Sequence, residues 1–302
     1  MMSVDFVYFR PAKVNDSKRI AKIEYQFFSR YPNYFNAPSP SKKYRREISN
    51  LLDKNPLYLV AEKRGEVIAS IKVVFDDYNK VAKVGYPIGD INEPGIEEFQ
   101  MNLVELAIEN SKQRGMNTIS ASISNSHLAI QELFRKNKFR KKKIIVELWE
   151  SRIMARVHEL PNGYTIRPPK ASDLASTWEW IKEQMVPEGP MGISYETYEH
   201  IFLHSTESKD GWAVVEKEGE PYAIVSSFIS PSNTAVIFGP FCKKRYHKLR
   251  IPLLNELLWH YSIKGVQVSR IIRSKSFMND KKLFEEFNYT LIESQYLFQR
   301  TL

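Results

Sequence analysis

The residues best suited to chemistry in this 302-residue chain lie together in Gly239–Leu258, GPFCKKRYHKLRIPLLNELL. An apolar run, Thr234 to Phe238, leads in like a strand. Lys243, Lys244, Arg245, His247, Lys248 and Arg250 follow within eight residues. Ile251, Leu254, Leu257, Leu258 and Tyr261 then recur at helical spacing. Pro252 suits the first turn of that helix, where its missing N–H costs nothing. The order strand, cationic loop, helix start brings free backbone amides and the positive end of a helix dipole to a cluster of cations. A polyphosphate ligand asks for that combination. A charge run alone is as often a solvated loop, so the weight must come from the rest of the chain.

The chain is longer than one ordinary domain, so two are expected. Its 43% hydrophobic, 26% charged and 13% aromatic residues suit a soluble globular protein with a sizeable core. A net charge of +9 and a pI near 9.3 admit nucleic acid, a membrane surface or a phosphorylated cofactor as partner, without choosing among them. Cys242 is the single cysteine, which excludes an intramolecular disulfide and a cysteine-based zinc site. The six histidines are scattered without HExxH spacing, and no metal is expected. A reducing, cytoplasmic setting is the simplest inference. The N-terminus MMSVDFVYFR lacks an apolar stretch of signal-peptide length, and no 18-residue apolar run exists, so no membrane role is expected.

The chain in order gives a strand at 4–10, then a helix with Ile20, Ile23, Phe27 and Phe28 that Asp16 can cap. A three-proline loop and a second helix near 42–52 come next. The hairpin has strands 57–63 and 66–75 about Arg64–Gly65, with a short strand at 80–86 after it. Helix 96–112, strand 117–123, helix 126–137 and strand 139–149 complete the first half. The pattern then restarts. FRPAKVND (9–16) matches IRPPKASD (166–173), YLVAEKRGE (58–66) matches WAVVEKEGE (212–220), and QELFRKNKF (131–139) matches KKLFEEFNY (281–289). Duplication at whole-domain size implies two tandem copies of one fold, not a solenoid. The expected domains are 1–155 and 163–302, with HELPNG as the turn between them.

The spacing between matched motifs falls from 154 residues at the hairpins to 150 at Gly115 and Gly265. The first copy therefore holds about four extra residues at the loop position. The loop there, GDINEPGIEE, carries Asp90, Glu93, Glu97 and Glu98. Carboxylates there suit a helix start but repel phosphate. Two copies of one loop have opposite charge, which points the polyanion site to the second half.

With these motifs the chain resembles a tandem member of the GNAT acyltransferase superfamily. The matches are the RPAK/RPPK opening before the first helix, the VAEKxGE hairpin, and the late-helix residues Asn125, Leu133–Phe134, Phe139 and Asn279, Leu283–Phe284, Tyr289. The resemblance implies an α/β architecture, with a mixed α+β sheet that parts between its fourth and fifth strands. Acetyl-CoA, or another acyl-CoA, would lie in that parting, its pyrophosphate on the loop before the third helix. The implied cofactor residues are Phe241, Cys242, Lys243, Arg245, His247, Lys248, Leu249, Arg250 and Asn279. The family loop reads Arg/Gln-x-x-Gly-x-Gly/Ala. Here Arg245 matches, while Lys248 and Arg250 replace both glycines. Glycine lets a backbone approach phosphate closely. We read the long side chains as compensating with charge-assisted contacts. In the first half Gly95 and Glu98 occupy the leading-Arg and first-Gly positions, so that copy is expected to be structural or substrate-shaping.

The implied reaction is acyl transfer from the thioester to an amine, small-molecule or peptide. It needs a base for the amine and an acid for the leaving thiolate. The position where the family carries an acidic Tyr is Phe284, and Phe134 in the first half. Tyr246 and Tyr296 are possible substitutes, Glu216 reads as a hairpin residue because Glu62 repeats it, and Cys242 and Asn279 have bland readings as packing and helix cap. The catalytic residues stay unassigned. Trp178 and Trp180, two apart on a helix, cannot share a face. A CoA-binding protein without catalysis is the alternative. A nucleic-acid module ranks last, because Tyr246 is the one aromatic interleaved with the basic residues. A monomer or a homodimer would both suit.

Overall fold

The apolar alternation around Arg64–Gly65 does form the expected hairpin in the computed structural model, which describes residues 6–30, 48–49, 57–154, 156, 159–184, 195, 198–199, 202, 211–230, 232–274 and 281–302. Strand β2 (Leu57–Lys63) turns through left-handed Arg64 and Gly65 into β3 (Glu66–Asp76). Around it lie β1 (Val7–Pro11), helix α1 (Ser17–Phe28), β4 (Val81–Val84), β5 (Ile88–Gly89), α2 (Ile96–Gln113), β6 (Thr118–Ser124) and α3 (Leu128–Lys136). Strand β7 (Arg140–Arg152) follows. The second copy has β8 (Thr165–Arg167), α4 (Leu174–Gln184), β9 (Trp212–Lys217), β10 (Glu220–Ile229), β11 (Thr234–Cys242), α5 (Arg250–Ile263), β12 (Val268–Ser274), α6 (Lys281–Glu286) and β13 (Thr290–Thr301). Both copies are mixed α/β. The expected helix near 42–52 lies almost wholly outside the described residues. None of the described helices is long and apolar enough to cross a membrane.

The chain forms two compact units. Unit 1 is Met1–Lys143 with Tyr296–Leu302, and unit 2 is Ile144–Gln295. The expected boundaries, 1–155 and 163–302, follow the order of the chain, and the units depart from that order twice. In unit 2, residues 146–152 of β7 pair antiparallel with β12, from Val146↔Ser274 to Arg152↔Val268. In unit 1, β13 completes the strand order β1-β2-β3-β4-β6-β13. There Phe298 is fully buried in the core, and the Leu302 N–H donates to the Asn117 carbonyl at 2.9 Å. Each copy's last strand thus finishes the other copy's unit. Neither RKKKIIVELWESR nor TLIESQYLFQRT alternates cleanly, so pattern alone does not assign either strand to a sheet edge.

The motifs that repeat in sequence make one repeated ion network. Arg10 donates to Asp16 at 2.7 and 3.0 Å and to Glu62 at 2.7 Å. Arg167 does the same to Asp173 at 2.7 and 2.8 Å and also to Glu216. This network ties the first strand, the helix start and the hairpin together, and explains why Arg, Asp and Glu recur. Neither aspartate caps its helix as expected. Asp16 and Asp173 instead accept the N–H of Lys13 and Lys170 at 2.7 Å, closing a 3-10 turn before the helix.

Both sheets part where the resemblance implies. β11 pairs parallel with β12 only from Thr234 to Phe238, while its pairing with β10 continues to Cys242. In unit 1, β4 pairs with β6 only over Val81–Lys83, and β5 then continues along β3 alone. Leu253, Leu254, Leu257 and Leu258 fasten α5 beneath the parting in unit 2. Such burial contributes about 1.5–3 kcal/mol per side chain.

Candidate functional site

The loop between β11 and α5 is where the predicted residues gather. Lys244, Arg245, His247 and Lys248 are exposed around a 3-10 turn, His247–Leu249, that runs into α5. Tyr246 N–H donates to the Lys243 carbonyl and Leu249 N–H to the Tyr246 carbonyl, both at 3.0 Å. The amides of Lys244, Arg245, His247 and Lys248 find no acceptor among the described residues. Three side-chain cations, the His247 imidazole and four amide donors therefore share one helix start. Arg245 alone in the loop is left-handed, at φ +77°. Arg250, at φ −68°, has ordinary helical backbone, and Lys248 is not among the residues of positive φ. Replacing the two family glycines therefore imposes no left-handed strain there.

The remaining predicted residues face inward. Arg250 is 3% exposed; its Nε donates to Cys242 Sγ at 3.1 Å and its second amino nitrogen to Gln184 Oε1 at 2.9 Å. Gln184, at the end of α4, also donates to the Cys242 carbonyl at 2.8 Å. Sequence reasoning missed Gln184, because nothing local marks a glutamine 58 residues from its partner. Arg250 is thus a buried brace rather than a loop cation. Cys242, 1% exposed, lies 3.7 Å from His247 Nδ1. Leu249 packs in the unit 2 core, and Phe241 packs beside Leu174, Ile181 and Tyr198. The Lys243 ammonium sits 4.3 Å from the Tyr222 ring centre and 5.4 Å from Trp180. Asn279 lies outside the described residues.

Unit 1 fills the corresponding place with its own side chains. The Asp90 carboxylate accepts the N–H of Asn92 at 3.0 Å, filling the loop with its own anion, and Arg19 holds that carboxylate at 2.7 Å. Lys63 holds Glu93 at 2.6 Å. Buried Tyr86 bridges the parting, its hydroxyl accepting the Ser124 N–H at 2.9 Å. Pro240 stands at the equivalent place in unit 2 and offers no hydroxyl. Gln100, the repeat of Arg250, donates to the Pro87 carbonyl at 2.7 Å. Ile96 lies so close to Gly89 that a Cβ there would collide with it.

In structural comparison the chain matches an N-acetyltransferase related to GCN5 from Sphaerobacter thermophilus, at TM-score 0.73 and 15% identity over 98% of this chain and 95% of that one. It also matches a tandem GNAT protein of the clavulanic acid biosynthesis pathway, at TM-score 0.70 and 12% identity over 98% of each. A third match is a GNAT-family acetyltransferase from Colwellia psychrerythraea, at TM-score 0.64 and 10% identity over 97% of this chain and 99% of that one. The fold is a duplicated GNAT fold. No family model and no curated protein matches the chain.

Of the acid–base positions weighed above, Tyr246 stays partly exposed with its ring against Tyr222, while Phe284, Tyr296 and Glu216 are engaged elsewhere. Phe284 is buried, stacked on Trp149 at 4.2 Å and 8°. Burial pushes the Tyr289 and Tyr198 hydroxyls up, and they are bonded to Ser269 and Thr177. Tyr296 belongs to unit 1, where the Lys141 ammonium lies 3.3 Å from its ring centre. Glu216 serves the Arg167 network. Trp178 stacks on Tyr198 while Trp180 faces Lys243, so the two part as their spacing requires.

Proposed function

We propose that this protein is an N-acyltransferase that takes an acyl group from acetyl-CoA, or another acyl-CoA, and gives it to the amine of a small molecule or peptide. Donor binding is assigned to unit 2. The observation that carries the reading is the open loop of Lys244, Arg245, His247 and Lys248. Its amides and cations suit a pyrophosphate, and it stands beside a parted sheet in a GNAT fold. Lys243 and Arg250 act one layer back. Lys243 is held over Tyr222, and Arg250 braces Cys242 at the end of β11. Unit 1 is a structural or substrate-shaping copy. A single buried thiol fits a reducing, cytoplasmic setting.

Phe284 in place of an acidic tyrosine favours a second reading, a CoA-binding protein without turnover. Calorimetric titration with acetyl-CoA and a free-thiol assay over an amine library separate the two. The first reading expects binding, weakened at least about tenfold by Arg245→Glu with Lys248→Glu, since each charge-assisted contact contributes about 1.5–3 kcal/mol. It also expects amine-dependent thiol release. Binding without release would leave the second reading. Absent binding, or affinity indifferent to the double variant, would overturn both.

A further inference from the structure

The charge of this protein is segregated by unit. Unit 1 holds 26 Lys and Arg against 16 Asp and Glu, and unit 2 holds 18 against 19. The whole positive surplus therefore sits in the unit that lacks the open phosphate loop. It is concentrated in Arg135–Lys143, RKNKFRKKK, at the end of α3 and the start of β7. Asn137 and Phe139 are the buried anchors of that stretch, and its seven cations are all exposed. Arg135 meets Glu132 at 3.3 Å. Lys136, Lys138, Arg140, Lys141 and Lys142 have no carboxylate partner among the described residues.

We propose that this surface of unit 1 binds the phosphate backbone of a nucleic-acid strand. Three features separate it from an ordinary solvated charge run. No acidic residue interrupts Arg135–Lys143, and Glu132 meets Arg135 alone, so the local field is strongly positive. The cations are held in place by aromatic and backbone contacts: Lys141 on the Tyr296 ring at 3.3 Å, Arg135 over Phe298 at 6.0 Å, and Arg300 on the Asn137 carbonyl at 2.8 Å. Along β7 the side chains alternate, giving two rows, Arg140 with Lys142 and Lys141 with Lys143. Each row is spaced about 6.7 Å. The rows lie on opposite faces of the strand, and a phosphodiester chain, which presents a charge at every repeat whatever its sequence, can follow the row of Arg140 and Lys142.

The composition of the patch selects among polyanions. Five of its seven cations are lysines, which act as point charges for phosphate, whereas carboxylate recognition favours the arginine fork. No large exposed hydrophobic residue lies between Leu128 and Met154 among the described residues. A protein partner would want an apolar centre, and a membrane-surface helix an apolar face.

The test uses the full chain, a fluorescein-labelled single-stranded RNA of about 20 mixed-sequence nucleotides and anisotropy over a salt series. Tight low-salt binding is expected, with log Kd rising by about 0.7 per log unit of salt for each phosphate contact. Lys136→Glu, Arg140→Glu and Lys142→Glu together should weaken binding at least about tenfold and lower the slope by about 2. Lys244→Glu with Lys248→Glu in unit 2 should leave RNA binding within about twofold, and an unchanged melting temperature establishes folding. The glutamine versions of the triple variant serve if charge reversal unfolds the unit. No binding at low salt, binding unmoved by the triple variant, or equal loss from the unit 2 variant would overturn the proposal. So would polyglutamate that displaces the RNA at matched charge, or anionic phospholipid vesicles that bind where RNA does not.

Discussion

The two units solve the same loop in opposite ways. After the fourth strand, unit 1 places the Asp90 carboxylate on the Asn92 amide and fills its parting with Tyr86, Gln100 and Ile96. Unit 2 surrounds its loop amides with exposed Lys244, Arg245, His247 and Lys248 and keeps Arg250 inside as a brace. The scaffold beneath is the same Arg–Asp–Glu network and the same helix register, with Leu103 and Leu253, Val104 and Leu254 fully buried in turn. In both units the groups that hold the fold together are distinct from those that differ at the loop.

The most disruptive challenge to this comparison is Phe298→Ala. Phe298 belongs to the last strand of the second copy, β13, yet lies buried in the core of unit 1. Its truncation should cost about 3–5 kcal/mol. Hydrogen exchange should show lost protection in residues 57–124 rather than in β9–β12. The reverse pattern would refute the exchanged last strands.

A milder contrast is between Arg167→Ala and Arg10→Ala. Breaking a buried ion pair costs about 3–5 kcal/mol when one charge is stranded. Asp173 is 3% exposed at its side chain and Asp16 12%, so solvent relieves Asp16 more. We expect Arg167→Ala to sit near the lower end of that range and Arg10→Ala below it, read by denaturant unfolding. Equal losses would mean that the two networks are energetically alike.

The smallest effect is a pH dependence confined to unit 1. Burial lowers His127 from its ordinary 6.5 to about 4, between the rings of Tyr86 and Phe27. The unfolded chain then binds the extra proton first. Stability is complete above about pH 6.5 and falls as pH drops towards 4. Burial alone would raise the Asp16 carboxyl, but Arg10 and the Lys13 N–H outweigh it and hold the group below its ordinary value. Its contribution is present above that ordinary value and is lost, at lower pH, as the folded-state value is crossed. His127→Asn should flatten the upper part of the curve. A slope between pH 6.5 and 4 that survives the substitution would place the titrating group elsewhere.

Much of the fold was legible from local pattern. The hairpin at Arg64–Gly65, helix 96–112, strand 117–123 and the duplicated motifs all appear within a residue or two, because side-chain period and turn chemistry act over a few neighbours. The candidate site was legible as a cluster of charge, but not residue by residue. Arg250 looks like its cationic neighbours in sequence. Only the 3-10 turn before α5 points it at Cys242 and Gln184. The expectation that Asp16 caps the first helix met a competing partner, since Arg10 offers a charged fork where the helix offers one amide.

By itself the sequence determined the duplication, the element order and the opposite charge of the two loops. These properties belong to short stretches and to their comparison. Tertiary structure alone decided which cations face outward, that Tyr86 plugs one parting while Pro240 cannot plug the other, and which unit each last strand completes. Those outcomes depend on partners 38 to 66 residues away or more. Such contacts form only when distant segments are brought together, and no local spacing encodes which sheet edge a strand will meet.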